Sequence, residues 1–121
     1  SSPLGPVTTT VYELQQDSYR LTGSNTTMPA LALKVMDSKS LYTMAAKELL
    51  KERPGAKNAN LRFLTLLGKP GAELTYVLPN GQAGKARMLL ANQSMTTVEA
   101  TWSGSAAPAD VTRFLDSLAA R

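Results

Sequence analysis

The chain has 121 residues, of which 43% are hydrophobic and 18% are charged, and it contains no histidine and no cysteine. This length fits one domain that buries a core without disulfides, and the missing residue types exclude a Ser-His-Asp triad, a thiolate nucleophile and the usual structural zinc sites. The net charge of +4 comes from basic residues spread along the chain, which favours a solvated surface over a nucleic-acid site.

Residues 1–7 are predicted to form a flexible tether ahead of a single domain at 8–121. The Ser/Pro/Gly-rich opening has neither the charged region nor the apolar region of a signal peptide. It fits a lipoprotein tether, a mature end after cleavage, or an expression remnant. No apolar run reaches the roughly 18 residues that span a bilayer, so membrane contact is expected only through such a tether.

Three short segments of the first third have strand character. Residues 8–14 are β-branched and alternate in polarity, and residues 19–22 form a second short run. A Ser/Asn/Thr-rich stretch at 23–29 is typical of a loop, and residues 30–36 form a third apolar run of strand length.

The period of the apolar residues then changes to that of a helix. Between 41 and 50 they recur at helical spacing and make a broad stripe. Asp37 or Ser38 is suited to accept backbone N–H bonds at the start. Arg53-Pro54-Gly55 ends the pattern, because proline disfavours helical geometry in the residue before it.

Four strands are predicted after this helix, at 61–67, 73–78, 85–91 and 95–102, with turns at 79–81 and 92–93. The apolar face of the last hairpin is expected to carry six alternating side chains: Ala86, Met88, Leu90, Val98, Ala100 and Trp102. Lys85, Arg87 and Glu99 are expected on the other face. Such a pattern is typical of an antiparallel sheet with one buried and one more polar face.

A short amphipathic helix closes the chain. Pro108 suits a first helical turn, and an apolar stripe that should dock on the sheet follows: Val111, Phe114, Leu115 and Leu118. The predicted fold is therefore a single α+β domain, with one antiparallel sheet of five to seven strands and two main helices on the same face.

Several segments together resemble a family of small exported bacterial α+β domains, loosely like PsbP and Mog1, in which helices flank a sheet. They read GKPGAEL at 68–74, LP at 78–79, KARM at 85–88 and RFLDSL at 113–118. The likeness covers about residues 30 to 121. Two positions depart from the family pattern: Ser94-Met95-Thr96 stands where a tyrosine-bearing segment is usual, and Leu118 replaces a terminal aromatic residue.

The resemblance implies a secreted or periplasmic accessory protein, often lipid-tethered, that acts by binding a protein or ligand in the cell envelope. It supplies no active site to transfer, so neither catalysis, a cofactor nor a metal is expected. Two alternatives stay open. One is an enzyme that uses carboxylates and arginine on a polar substrate, with Glu73 and Glu99 approaching across the sheet. The other is an intracellular secretion chaperone or adaptor.

Five residues are the candidates for binding a partner: Arg62, Lys85, Arg87, Glu99 and Trp102. The three cations and the carboxylate are expected on the polar sheet face. Trp102 is the only tryptophan, and tryptophan is common in interface hot spots. Packing of its ring under the final helix is favoured over a role as an exposed anchor.

Overall fold

The computed structural model describes residues 7–28, 34, 36–91, 93–104 and 106–118. These residues form six strands and two helices, the second continued by a 3-10 turn. The elements are β1 (Val7–Gln15), β2 (Tyr19–Thr27), α1 (Ser38–Lys51), β3 (Lys57–Leu66), β4 (Lys69–Val77), β5 (Ala83–Ala91), β6 (Ser94–Trp102), α2 (Ala109–Leu115) and the turn Asp116–Leu118.

All six strands belong to one antiparallel sheet in the order β1-β2-β6-β5-β4-β3. Strands β3 to β6 follow one another as a meander, and the β1–β2 hairpin joins the free side of β6. The β2–β6 pairing runs without interruption from Tyr19–Trp102 to Thr27–Ser94. The predicted α+β class, with a single antiparallel sheet and two helices, is confirmed.

Helix α1 begins and ends where its sequence predicts. The Asp37 side chain accepts a hydrogen bond from the Ser40 backbone N–H at 2.7 Å, and this bond lowers the pKa of Asp37. The chain leaves the helix through Arg53-Pro54-Gly55, with Gly55 at a φ of +79°. Leu41, among other apolar residues of the stripe, is buried against the sheet.

The two helices pack on opposite faces of the sheet, so the expectation of a shared face is wrong. Ala86 and Met88 of β5 belong to the core under α1, whereas Leu89, the residue after Met88, belongs to the core under α2. A run such as Met88-Leu89-Leu90 is apolar at both phases of the strand, as strands buried on both sides are. The α2 core contains the predicted stripe of the helix, with Val111, Leu115 and Leu118 buried and Phe114 at its margin. The buried residues of this core are Leu21, Leu66, Leu89, Val98, Ala100, Trp102, Val111, Leu115 and Leu118.

The register of the last hairpin also differs from expectation. Its two-residue turn pairs Ala91 with Ser94, so Ala86 faces Glu99 and Arg87 faces Val98. Paired residues project to the same side of a sheet. Glu99 therefore lies on the α1 face with Ala86, and Arg87 lies on the α2 face with Val98.

Strand bounds in the first third differ from the sequence prediction as well. Strand β1 begins at Val7, and β2 continues to Thr27 through the predicted loop. The polar residues of β2 pair with the equally polar start of β6, for example Ser24 with Thr97. The predicted strand at 30–36 lies outside the described residues except for Lys34 and Met36, neither of which is in a strand.

Candidate binding groove

Helix α1 covers one half of its face of the sheet, and a groove lies beside it. The side chains of β4 and β5 under the helix are buried, whereas the short polar side chains of β1 and β2 are half-buried or exposed. The space between α1 and strands β1, β2 and β6 measures about 470 Å³. We call it the α1 groove; its main apolar lining residues are Met28, Leu41, Met44, Leu49, Met88 and Met95.

Methionine dominates the apolar lining. Four of the five methionines of the chain line the groove: Met28, Met44, Met88 and Met95. Met88 and Met95 are buried in its floor, and Met44 of α1 is 39% exposed at its wall. The thioether side chain is unbranched and polarizable, so it refills irregular space when a contact changes. The groove therefore offers an apolar surface that can adapt to different occupants.

The floor of the groove also carries a row of hydroxyl side chains that crosses three strands. Thr10 of β1 pairs with Ser24 of β2, and Ser24 pairs with Thr97 of β6. All three line the groove, as do Thr22 and Thr26. Short side chains leave depth above the sheet, and each hydroxyl can donate and accept a hydrogen bond. The floor thus supplies polar partners beneath an apolar wall.

A buried ion pair lies at one end of the groove. Glu99 is 6% exposed and receives two hydrogen bonds from Arg53, from Nε to Oε2 at 3.0 Å and from Nη2 to Oε1 at 2.5 Å. The Tyr76 hydroxyl donates to the same carboxylate. Tyr76 pairs with Gly84 across the sheet, and a Cβ at Gly84 would collide with the tyrosine ring. Glycine at this position lets the ring lie over the neighbouring strand and reach Glu99.

The electrostatics of this cluster favour a fixed arrangement. Burial, reinforced by the negative charge of Glu99, raises the pKa of Tyr76 far above its usual value. Burial by itself lowers the pKa of Arg53, but the hydrogen bonds and charge of Glu99 outweigh it and raise the value overall. Tyr76 is therefore a neutral donor and Arg53 a permanent cation, and both oxygens of Glu99 are occupied.

A smaller cleft of about 260 Å³ continues from this end of the groove. It shares Thr22, Glu52, Arg53 and Glu99 with the α1 groove, and Arg20 adds a cation. Arg20 forms an exposed ion pair with Glu13 at 2.8 Å. The two spaces together make one elongated depression along α1.

A second buried carboxylate, Glu73, lies on the opposite face of the sheet. Arg87 Nε donates to its Oε2 at 2.9 Å, and Arg62 Nη2 donates to its Oε1 at 2.9 Å. Arg87 Nη1 also reaches the backbone oxygens of Leu115 and Leu118 at 3.3 and 3.2 Å. This cluster fastens the end of α2 to the sheet, a structural role that the sequence pattern does not reveal.

The structure separates the five candidate binding residues. Glu99 lies at the α1 groove, whereas Arg62 and Arg87 pair with Glu73 on the α2 face. Lys85 lies on the α2 face too, opposite Ala100. Trp102 is 8% exposed in the α2 core, which agrees with the favoured core packing.

The suggested pairing of Glu73 with Glu99 is wrong, because the two carboxylates project from opposite faces of the sheet. Sequence reasoning also missed Arg53 and Tyr76. The sequence pattern indicates only a helix stop at Arg53 and only a strand position for Tyr76. The signal for Tyr76 was weak: a tyrosine facing a glycine across a hairpin becomes apparent only once the register is known.

Comparison with protein-family models, with curated proteins and with solved structures gives no match for this chain. Within the described residues, no helix is long and apolar enough to cross a membrane. The described part of the chain also has no group of three or more carboxylate, histidine or cysteine side chains placed to hold a metal ion.

Proposed function

We propose that this protein is a non-catalytic binding domain and that its partner occupies the α1 groove. The observation that carries the proposal is the combination of a half-covered sheet face, a methionine-rich apolar lining and a row of hydroxyl side chains in one space of about 470 Å³. Concave, mostly apolar sites with a few polar groups are the usual form of ligand and peptide sites.

We further propose that the protein is an exported accessory protein of the PsbP and Mog1-like type, working in the periplasm or cell envelope with a protein partner. Support comes from the segments that resemble this family and from the absence of cysteine. A sheet flanked by helices, as observed here, is also the architecture that this resemblance implies.

The enzyme alternative has one observation in its favour, since Glu52 and Glu99 both line the depression beside Arg53. Glu99 is poorly placed to move a proton, because Arg53 and Tyr76 occupy both of its oxygens. General acid–base catalysis needs a group within reach of the substrate proton. We therefore favour binding over catalysis.

The proposal is tested with N-phenyl-1-naphthylamine, a neutral apolar dye that fluoresces on leaving water. The dye should bind the whole chain, and Met44→Glu should weaken binding about tenfold by placing a charge in the groove wall. Val11→Glu is the matched control. Val11 is 67% exposed and lies near Gly23 on the α2 face, so its substitution should leave dye binding unchanged.

Circular dichroism should show that both variants keep the native fold. Equal dye affinity in the parent and in Met44→Glu would contradict the proposal. Absence of dye binding by the parent would contradict it as well.

A further inference from the structure

We propose that the α1 groove receives a basic amphipathic helix of a partner protein. This inference rests on the proposed binding function and adds the class of partner. The charges of α1 are sorted by side. Glu48 and Glu52 line the groove, whereas Lys39 and Lys47 lie on the side of the helix that faces Phe63. The groove lining therefore holds three carboxylates, of which Glu99 is the third, against one cation, Arg53, on a chain whose net charge is +4.

The opposite rim of the groove carries a carboxylate as well. Glu13 of β1 faces Thr22, a floor residue, so it lies on the α1 face at the outer edge of the sheet. The side chains of Glu13, Glu48 and Glu52 are 54%, 66% and 75% exposed. Cations of a partner lying in the groove would therefore meet carboxylates on both sides.

The carboxylates already form ion pairs within the chain, but these pairs are weak enough for a partner's cations to replace them. Lys51 Nζ lies 3.1 Å from Glu48 and Arg20 Nη2 lies 2.8 Å from Glu13, and all four of these side chains are about half exposed or more. Arg53 Nη1 lies 3.9 Å from Glu52, a long contact that leaves the Glu52 side chain 75% exposed. Ion pairs at such exposed positions are weak and are screened by salt. A partner's lysine or arginine can replace them at little cost.

The dimensions and shape of the groove favour a helix over an extended strand. Neighbouring strands lie about 4.8 Å apart, so β1, β2 and β6 together span about 10 Å, which is the diameter of one helix with its side chains. An added strand needs a free sheet edge for its hydrogen bonds, whereas this groove lies on a sheet face. Met44 and Leu49 on one side and Met28 and Met95 below can receive apolar residues at i, i+3, i+4 and i+7 of the entering helix.

The test uses two fluorescein-labelled 18-residue helical peptides with the same leucine and alanine face, one with lysine and one with glutamate on the polar face. Fluorescence anisotropy with the whole chain should show the lysine peptide binding at least about tenfold more tightly, with the preference shrinking as salt is raised. Glu48→Lys combined with Glu52→Lys should weaken the lysine peptide about tenfold and strengthen the glutamate peptide. Lys39→Glu combined with Lys47→Glu, on the other side of α1, is the matched control and should change either affinity less than about twofold.

Equal affinity for the two peptides, or no response to the Glu48 and Glu52 reversal, would overturn the inference. If the naphthylamine dye still binds in that case and Met44→Glu still weakens its binding, the proposed binding function stands without the helical partner. Displacement of the dye by a fatty acid but by neither peptide would assign the groove to an acyl chain and overturn the helical partner. Failure of the dye itself would instead overturn the proposed function.

Discussion

Replacing Arg53 by methionine should destabilise the domain more than any comparable change at an exposed arginine. The substitution removes both guanidinium hydrogen bonds from Glu99, whose side chain is only 7% exposed. Within the described part of the chain, Tyr76 is then the one remaining donor to this buried charge. Breaking a buried ion pair from one side costs roughly 3 to 5 kcal/mol. Because the Arg53 side chain is 22% exposed, water can replace part of the loss, and we expect about 3 kcal/mol.

This loss is large enough to measure by calorimetry or urea unfolding. For 121 residues, an unfolding entropy near 2.1 cal/mol/K per residue gives about 250 cal/mol/K, so a loss of 3 kcal/mol lowers the Tm by about 12 °C. Arg20→Met is the matched control, since Arg20 also pairs with a glutamate but is 47% exposed. That variant should lose less than about 1 kcal/mol, or about 4 °C.

A double variant separates the buried charge from simple loss of packing. Adding Glu99→Gln to Arg53→Met removes the uncompensated charge, so the double variant should be more stable than Arg53→Met alone. The reasoning is refuted if Arg53→Met loses no more stability than Arg20→Met. It is equally refuted if adding Glu99→Gln to Arg53→Met does not raise the free energy of unfolding.

Three further outcomes follow from the packing and the backbone. Leu115→Ala should lower the free energy of unfolding in urea by about 2 to 5 kcal/mol, because Leu115 is buried. Phe114 is half-buried and stacked on Tyr12, so Phe114→Ala should lower it by only about 1 to 2 kcal/mol. Equal losses would contradict the assigned burial. Leu67 lies in an exposed turn with a φ of +51°, a backbone conformation that asparagine tolerates better than leucine. Leu67→Asn should therefore raise the Tm, and an unchanged or lower Tm would argue against this turn. The folded-state pKa of Tyr76 lies above that of the unfolded chain, so its stabilising effect is complete below about pH 10 and is lost as the pH rises further. Tyr76→Phe should therefore show a shallower loss of stability above pH 10, and an unchanged slope would count against the buried hydroxyl.

The elements of this fold were predictable where local chemistry determines them. Helix α1 has a cap at Asp37, an apolar stripe and a Pro-Gly stop, and each of these signals acts over a few residues. The β5–β6 hairpin likewise follows from two apolar runs and a short turn. These parts of the prediction needed no long-range information.

The faces of the sheet were not predictable in the same way. Met88, Leu89 and Leu90 are all apolar, so the sequence of β5 shows no polar–apolar alternation that would tell which side chains face which helix. The placement of Glu99 on the α1 face depends on the pairing of Ala91 with Ser94, a detail of a single turn. One residue of register moves every side chain of a strand to the other face. For this reason the sequence indicates Glu99 as a candidate but does not indicate its partners, Arg53 and Tyr76.

Because the seam between β2 and β6 joins distant parts of the sequence, we expect the groove to form late in folding. Tyr19 and Trp102, which pair there, are far apart in sequence, so the first hairpin must wait for the last strand before it can dock. The floor hydroxyls come from both sides of this seam, with Ser24 on one strand and Thr97 on the other. A chain that lacks β6 thus lacks half of the floor, and a partner that binds as we propose would recognise only the completed sheet.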